Sequence, residues 1–322
     1  MKPRLHFAHL PTPIEPMPRL TACLKGPRLL VKRDDQTGLA FGGNKTRKLE
    51  YLLADALEQG AQTLISAGAI QSNHCRQVAA AAARFGLDCI LLLFGDPPDP
   101  PDANHLLHYL LGAEVIYTQR EKMVTGLEEA FKTASSMGKM PYLIPYGGSN
   151  PTGAMGYVNA MLELAEQDCH PDWIVFPSSS GGTQAGLLVG ARLTGYTGKI
   201  LGISVDEPAE ALKAYVAQLA TKTANFIDKD WTFSPGEVHV NDYYTGIGYA
   251  VMGAPEIEAI QIFAAREALL LDPVYTGRAG AGLIDLVRKG FFEDTATILF
   301  WHTGGGPALF AKKYQDRLLK KP

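Results

Sequence analysis

The sequence has few cysteines: 4 in 322 residues, at Cys23, Cys75, Cys89 and Cys169, with no C-x-x-C pair. That excludes a disulfide-stapled scaffold and points to free thiols in a reducing compartment. Long hydrophobic runs are missing too. The longest, Cys89 to Phe94, is far below the roughly 18 residues of a membrane span. The first residues, MKPRLHFAHLPTPIEP, are basic but broken by prolines and lack the apolar stretch of a signal peptide. Neither sign of charge dominates. With 30 basic and 33 acidic side chains, the net charge is −3, which gives no footprint for nucleic acid or an anionic membrane. A disordered chain is excluded by 46% hydrophobic and only 20% charged residues. The expectation is a cytoplasmic protein with a small-molecule partner.

What is present in excess is glycine. Usage of about 7% would give roughly 23 residues, against 33 here. The length fits about two domains with a large core. Short apolar runs predict strands at Leu29–Lys32, Thr63–Ser66, Cys89–Phe94, Glu114–Tyr117, Tyr142–Pro145, Trp173–Pro177, Ile200–Val205 and Thr297–Trp301. Helical patterns at 46–60, 73–86, 152–167, 182–195, 255–269 and 281–290 alternate with them. In the first, Leu49, Leu52, Leu53, Ala56 and Leu57 carry the spacing of a buried helix face. Strands apolar throughout, each followed by a helix, predict an α/β fold with mostly parallel sheets covered on both faces. No repeat or linker is visible. Four strand-plus-helix units between Lys48 and Tyr157 suggest a small domain, 48–157, inserted into a larger one of residues 1–47 plus 158–322.

Nine glycines in doublets or a triplet mark four clusters, FGGNKTRKLE, YGGSNPTGA, SSSGGTQAGL and HTGGGPAL, each just before a helix start. Glycine there lets backbone approach a ligand, and the first helical N–H groups make an anion site. In SSSGGTQAGL, Ser180, Gly181, Gly182 and Thr183 suit a phosphate, although an ordinary capped turn would use the same residues. Neither a Walker loop nor G-x-G-x-x-G is present, which weakens ATPase and dinucleotide readings. A phosphosugar or nucleotide enzyme without a covalent lysine stays open on this pattern, as does a non-catalytic binding protein.

Lys45 follows Gly42-Gly43-Asn44 at a helix start, where the helix dipole opposes a positive charge and lowers the lysine pKa. That is what a lysine attacking a carbonyl requires. Lys48 lies one turn on and suits a phosphate, and two solvated lysines are the plainer alternative. In SAGAIQSNHCRQ, Ser72, Asn73 and His74 form either a helix cap or a grip for a carboxylate. His105 and His108 are three apart but lack a third ligand, so no metal is expected.

Together, KRDDQTGLAFGGNKTRKLEYL, SAGAIQSNHCRQVAA, PYGGSNPTGAMGYV, SSSGGTQAGL, LDPVYTGRAGAGL and ILFWHTGGGPALF resemble the pyridoxal-phosphate enzymes of the aminocyclopropane-carboxylate deaminase and D-cysteine desulfhydrase family. The resemblance runs in order from about Leu10 to Phe310. It implies the fold type II, tryptophan-synthase-β-like architecture, pyridoxal 5'-phosphate as cofactor, and a homodimer. It assigns covalent attachment to Lys45, the phosphate to Lys48, Ser180, Gly181, Gly182 and Thr183, and the cofactor's phenolic oxygen to Asn73. Ser72, Asn73 and His74 fall where the substrate carboxylate is held. Tyr275 matches the tyrosine beside the pyridine ring and Tyr249 a second active-site tyrosine.

Two positions discriminate within that family. Deaminases resemble DPVYEG and HLGG, whereas this chain carries Thr276 and Thr303, as in the D-cysteine desulfhydrase group. A hydroxyl in place of a carboxylate leaves the pyridine nitrogen largely unprotonated and the electron sink weaker. A good β-leaving group tolerates that, while opening a cyclopropane does not. The implied reaction is β-elimination from a small amino acid, D-cysteine first, giving pyruvate, hydrogen sulfide and ammonia. The α-proton would pass to freed Lys45 or to a tyrosinate at Tyr249 or Tyr275. Departures from the pattern are Arg278 for the usual lysine and Ala250 for glycine. As a planar donor near the cofactor tyrosine, Arg278 would favour a second acidic group on the substrate. That keeps L-cysteate sulfo-lyase as an alternative beside aminocyclopropane-carboxylate deaminase.

Overall fold

A computed structural model describes residues 2–319. The chain opens with β1 (Ile14–Pro16), α1 (Pro18–Leu24), β2 (Arg28–Lys32) and α2 (Asn44–Glu58). A regular alternation follows: β3 (Thr63–Ala69), α3 (Asn73–Phe85), β4 (Asp88–Phe94), α4 (Ala103–Leu110), β5 (Glu114–Thr118), α5 (Met123–Ser136) and β6 (Pro141–Leu143). Next come α6 (Pro151–Glu166), β7 (Trp173–Ser178), α7 (Gly182–Thr194), β8 (Lys199–Ser204), α8 (Ala209–Phe226) and β9 (His239–Asn241). The last elements are α9 (Ala254–Glu267), α10 (Thr276–Arg288), β10 (Thr297–Trp301) and α11 (Lys312–Leu318).

Two sheets result. One has the order β1-β2-β10-β7-β8-β9, parallel except for β1, and the other is β5-β4-β3-β6, parallel throughout. Side chains alternate across a strand, and both faces of the six-stranded sheet are covered. Leu29, Val31, Ile298 and Phe300 pack with Phe263, Leu283 and Ile284 of α9 and α10. Leu30, Leu299 and Trp301 pack with Tyr157, Met161 and Leu187 of α6 and α7. In the second sheet Leu64, Leu91 and Leu93 meet α2 and α3, while Ile65, Ile90 and Leu92 meet α5. Apolar runs with no polar alternation are the direct consequence.

The second sheet draws its strands from Thr63 to Leu143 alone, and the first from both sides of that stretch. The boundaries expected at 47/48 and 157/158 fall inside α2 and α6. A buried ionic cluster locks these two helices together. Arg47 donates to Asp34 and Glu163, Lys32 to Glu163, and the Tyr157 hydroxyl to Asp34 at 2.6 Å. None of the described helices is long and apolar enough to cross a membrane.

Candidate active site

Four strands, two from each sheet, end around one cavity. The turn after β3 brings Ser72, Asn73 and His74, that after β6 brings Tyr146 and Gly147, β7 leads to Ser178–Gly181, and β10 to Thr303 and Gly304. Lys45 and Asn44 at the start of α2, Thr183 of α7 and Tyr275 before α10 complete the wall. The carboxyl ends of parallel strands are where open α/β sheets bind ligands. A roomier cleft between Trp173, Tyr196 and Lys199 lies at the opposite, amino-terminal ends.

Lys45 is the second residue of α2. Burial lowers its pKa to about 8, so burial, beside the helix dipole, favours the neutral amine. The turn before it is tight: Gly42 has φ +63°, and a Cβ there would lie 2.1 Å from the Asp35 carbonyl oxygen. Lys48 does not line the cavity. Its Nζ donates to the Gly147 carbonyl at 3.0 Å, and burial followed by the nearby Lys45 charge pushes its pKa well down.

The phosphate expectation gains a cradle. Gly181 is the left-handed N-cap of α7 at φ +73°, where a Cβ would collide with the Tyr215 ring at 2.7 Å. The first turn of α7 leaves N–H groups without intrahelical acceptors. Ser180 Oγ lies 2.8 Å from Ser149 Oγ, Gly182 N–H donates to Ser149 Oγ, and the Asn44 amide donates to Thr183 Oγ1. Gly182 supplies backbone behind the cavity wall rather than the wall itself. Hydroxyls, N–H groups of the first turn of α7 and Lys45, with Lys48 behind the wall, form a donor set that suits a phosphate and a carbonyl compound.

Ser72 acts as a cap, its Oγ accepting from Cys75 N–H at 3.1 Å, and its own proton remains to be given. His74 Nε2 sits 3.0 Å from Ser66 Oγ, and burial, then Lys45 and Lys48, keep the ring neutral. A neutral imidazole contributes no charge toward a substrate carboxylate. Asn73 accepts from Asn104 Nδ2 at 2.8 Å.

Tyr275 lines the cavity, and its hydroxyl is 2.6 Å from that of Tyr249, which stands behind it. Burial raises both pKa values far above the usual tyrosine range, Tyr249 adding to the effect on Tyr275. Thr303 reaches the cavity but Thr276 does not. Thr276 Oγ1 donates to Asp272 Oδ1 at 2.8 Å and accepts from Asp272 N–H, so its hydroxyl serves the turn that presents Tyr275. No aspartate or glutamate is among the lining residues.

The expectation for Arg278 is overturned. It is fully buried on α10 and donates to Glu256 and to the carbonyls of Val205, Gly248 and Val251. With its donors engaged there, the guanidinium offers nothing to a second acidic group. Sequence reasoning missed Asn44, Tyr146, Ser149, Ser178, Ser179 and Asn104. Of these, Asn44, Tyr146, Ser149, Ser178 and Ser179 sit inside glycine clusters already singled out, whereas Asn104 has no local signal.

Residues 5–304 match the family described as pyridoxal-phosphate dependent enzyme. The chain is 43% identical over 320 residues to D-cysteine desulfhydrase of Salmonella typhimurium, covering 96% of both. Against the Salmonella choleraesuis protein of the same name it is 43% identical over 319 residues, with the same coverage. Among solved structures, an ACC deaminase homologue superposes with a TM-score of 0.91 at 37% identity, covering 99% of this chain and 96% of that one. A fungal L-serine ammonia-lyase from Rhizomucor miehei shares the fold at a TM-score of 0.70 and 18% identity, covering 98% and 99%.

Proposed function

The chain belongs to the family of pyridoxal-phosphate-dependent enzymes, and from that premise we propose that it is a D-cysteine desulfhydrase, releasing hydrogen sulfide, pyruvate and ammonia. The observation that carries this reading is a cavity holding a buried, readily neutralised lysine with Thr303, and no carboxylate, on its wall. In the D-cysteine desulfhydrase group a threonine stands at that position, and at the one after Tyr275.

When bound, pyridoxal phosphate supplies an electron sink for bonds broken at the substrate α-carbon. The residues prepare the rest. At pH 7 a pKa near 8 leaves about one Lys45 in ten neutral, against about one in 3,000 for an ordinary lysine. Lys45 Nζ is then both the attachment point and the acceptor of the α-proton. Tyr249 and Tyr275 hold their protons, so a tyrosinate base is disfavoured and the pair acts by hydrogen bonding and orientation. Ser180, Gly181, Thr183 and the start of α7 hold the phosphate, with Gly182 backbone and Lys48 behind them. Lys48 regains its charge beside a dianion. Ser72 and Asn73 grip the substrate carboxylate, His74 shapes their turn, and a hydrogen-sulfide leaving group needs no strong sink. Thr276 acts through Asp272 on Tyr275.

We further read residues 48–157 as an inserted unit, with α2 and α6 shared across its borders, and the protein as a cytoplasmic homodimer. Support for the dimer is an exposed apolar groove formed by Phe41, Leu106, Leu270 and Phe310. The test of function is sulfide release from D-cysteine, beside sulfite release from L-cysteate and deamination of aminocyclopropane carboxylate. Turnover of D-cysteine alone is expected, and turnover of L-cysteate alone would replace this reading. Borohydride reduction should fix the cofactor on the Lys45 peptide, and Lys45→Ala should abolish that adduct.

A further inference from the structure

We propose that Asn104, on α4, is a positioning residue that dictates which end of the Asn73 amide faces the cofactor. The inference rests on the assignment of Asn73 to the cofactor's phenolic oxygen.

Hydrogen-bond polarity fixes the orientation. Arg76 can only donate and a backbone carbonyl can only accept. Arg76 Nη1 donates to Asn104 Oδ1 at 3.3 Å, and Arg76 Nη2 is itself anchored on the Gly42 carbonyl at 2.8 Å. On its other side Asn104 Nδ2 donates to the Gln71 carbonyl at 3.1 Å. With a donor-only group at one end and an acceptor-only group at the other, the Asn104 amide has a single orientation. Its second Nδ2 proton goes to Asn73 Oδ1 at 2.8 Å. Asn73 makes no other side-chain hydrogen bond among the described residues and lines the cavity, so Nδ2 is the atom it presents there. Asn104 is fully buried, and flipping the amide in place would set two donors against each other, at the full cost of unmade buried bonds. The chain of polarity runs from the turn that begins α2 through Arg76 and Asn104 to Asn73. It delivers an N–H donor to an oxygen that carries negative charge.

The test uses the loaded enzyme without substrate. Asn104→Asp places an acceptor against Asn73 Oδ1, so the Asn73 donor is lost or inverted. Loss of a donor makes the phenolic oxygen more basic. The pH midpoint of the visible absorption band should rise by about 1–2 units, the equivalent of one charge-assisted hydrogen bond. Cofactor affinity, read by fluorescence titration, should fall about 10- to 100-fold, as for other outer partners of a ligand-binding group. Asn73→Ala should give the same upward shift. A shifted Asn73→Ala with a wild-type midpoint and affinity for Asn104→Asp would overturn the proposal alone. An unshifted Asn73→Ala would overturn the assignment beneath it. If the aspartate variant fails to fold, Asn104→Ser removes the same donor, and an unchanged midpoint there is equally decisive against it.

Discussion

At the residue scale, a lysine with a lowered pKa was legible at the start of α2, and the cause of the lowering only half so. Gly42-Gly43-Asn44 fixed Lys45 at a helix start, where the dipole lowers a lysine pKa. Burial lowers it as well, in a cavity whose walls include Tyr275 and Thr303, more than 200 residues away. The sign of the pH dependence follows from the neutral form being the reactive one. Mixing cofactor-free protein with pyridoxal phosphate should give a rate of covalent attachment that climbs about tenfold per pH unit below 8 and levels off near 8. A rate still climbing steeply toward pH 10 would mean an ordinary, solvated lysine. The same residue-level reading failed at Arg278, where side-chain chemistry was right and direction was not. No local pattern says that a planar donor one turn from Tyr275 turns inward, away from the substrate.

At the element scale, strands with an apolar run announced themselves, the three-residue edge β6 among them, while the edges β1 and β9 did not. β1 (IEP) and β9 (HVN) contain no apolar run and exist only because a neighbouring strand pairs with them. Helix α10 begins five residues before its sequence pattern, because Thr276-Gly277-Arg278-Ala279-Gly280 reads as a turn. Packing overrides propensity there. A Cβ at Gly277 would meet the Asp272 carbonyl at 2.6 Å, and one at Gly280 would meet Leu271 at 2.7 Å. Arg278 then ties α10 to α9 through Glu256 and to the loop carrying Tyr249 through Gly248 and Val251. Breaking a buried pair by removing one partner costs about 3–5 kcal/mol. Arg278→Met should therefore lower the unfolding free energy of the holoenzyme by that order, read as a lower urea midpoint at unchanged slope, with the ratio of D-cysteine to L-cysteate turnover unchanged. A shifted ratio at unchanged stability would return Arg278 to the substrate.

At the scale of the whole molecule, the six motifs are separate in sequence because the site is where two sheets end together. The sequence carried each turn, Tyr146 included, but not their convergence, and so gave no hint of Asn104, which belongs to the site only through topology. This arrangement has a thermodynamic consequence. On the proposed assignment, a ligand held by Ser72 and Asn73 beyond one sheet and by Ser180, Gly181 and Thr183 beyond the other would bind only when both are in place. It stabilises that state by about 2.7 kcal/mol at a concentration 100 times its Kd. Tryptophan fluorescence sees one side of this alone, since Trp173, Trp231 and Trp301 all lie outside residues 48–157. Hydrogen exchange sees both. Loading the cofactor should slow exchange in β3, β4 and β10, none of whose residues line the cavity, as well as in β7, which contributes Pro177 and Ser178 to it. Thr183→Ala, which removes a phosphate hydroxyl on α7, should at a fixed cofactor concentration reduce the protection gained in β3 and β4 too. Protection confined to Ser178–Gln184 would mean that the two sheets open independently and that the cofactor does not join them.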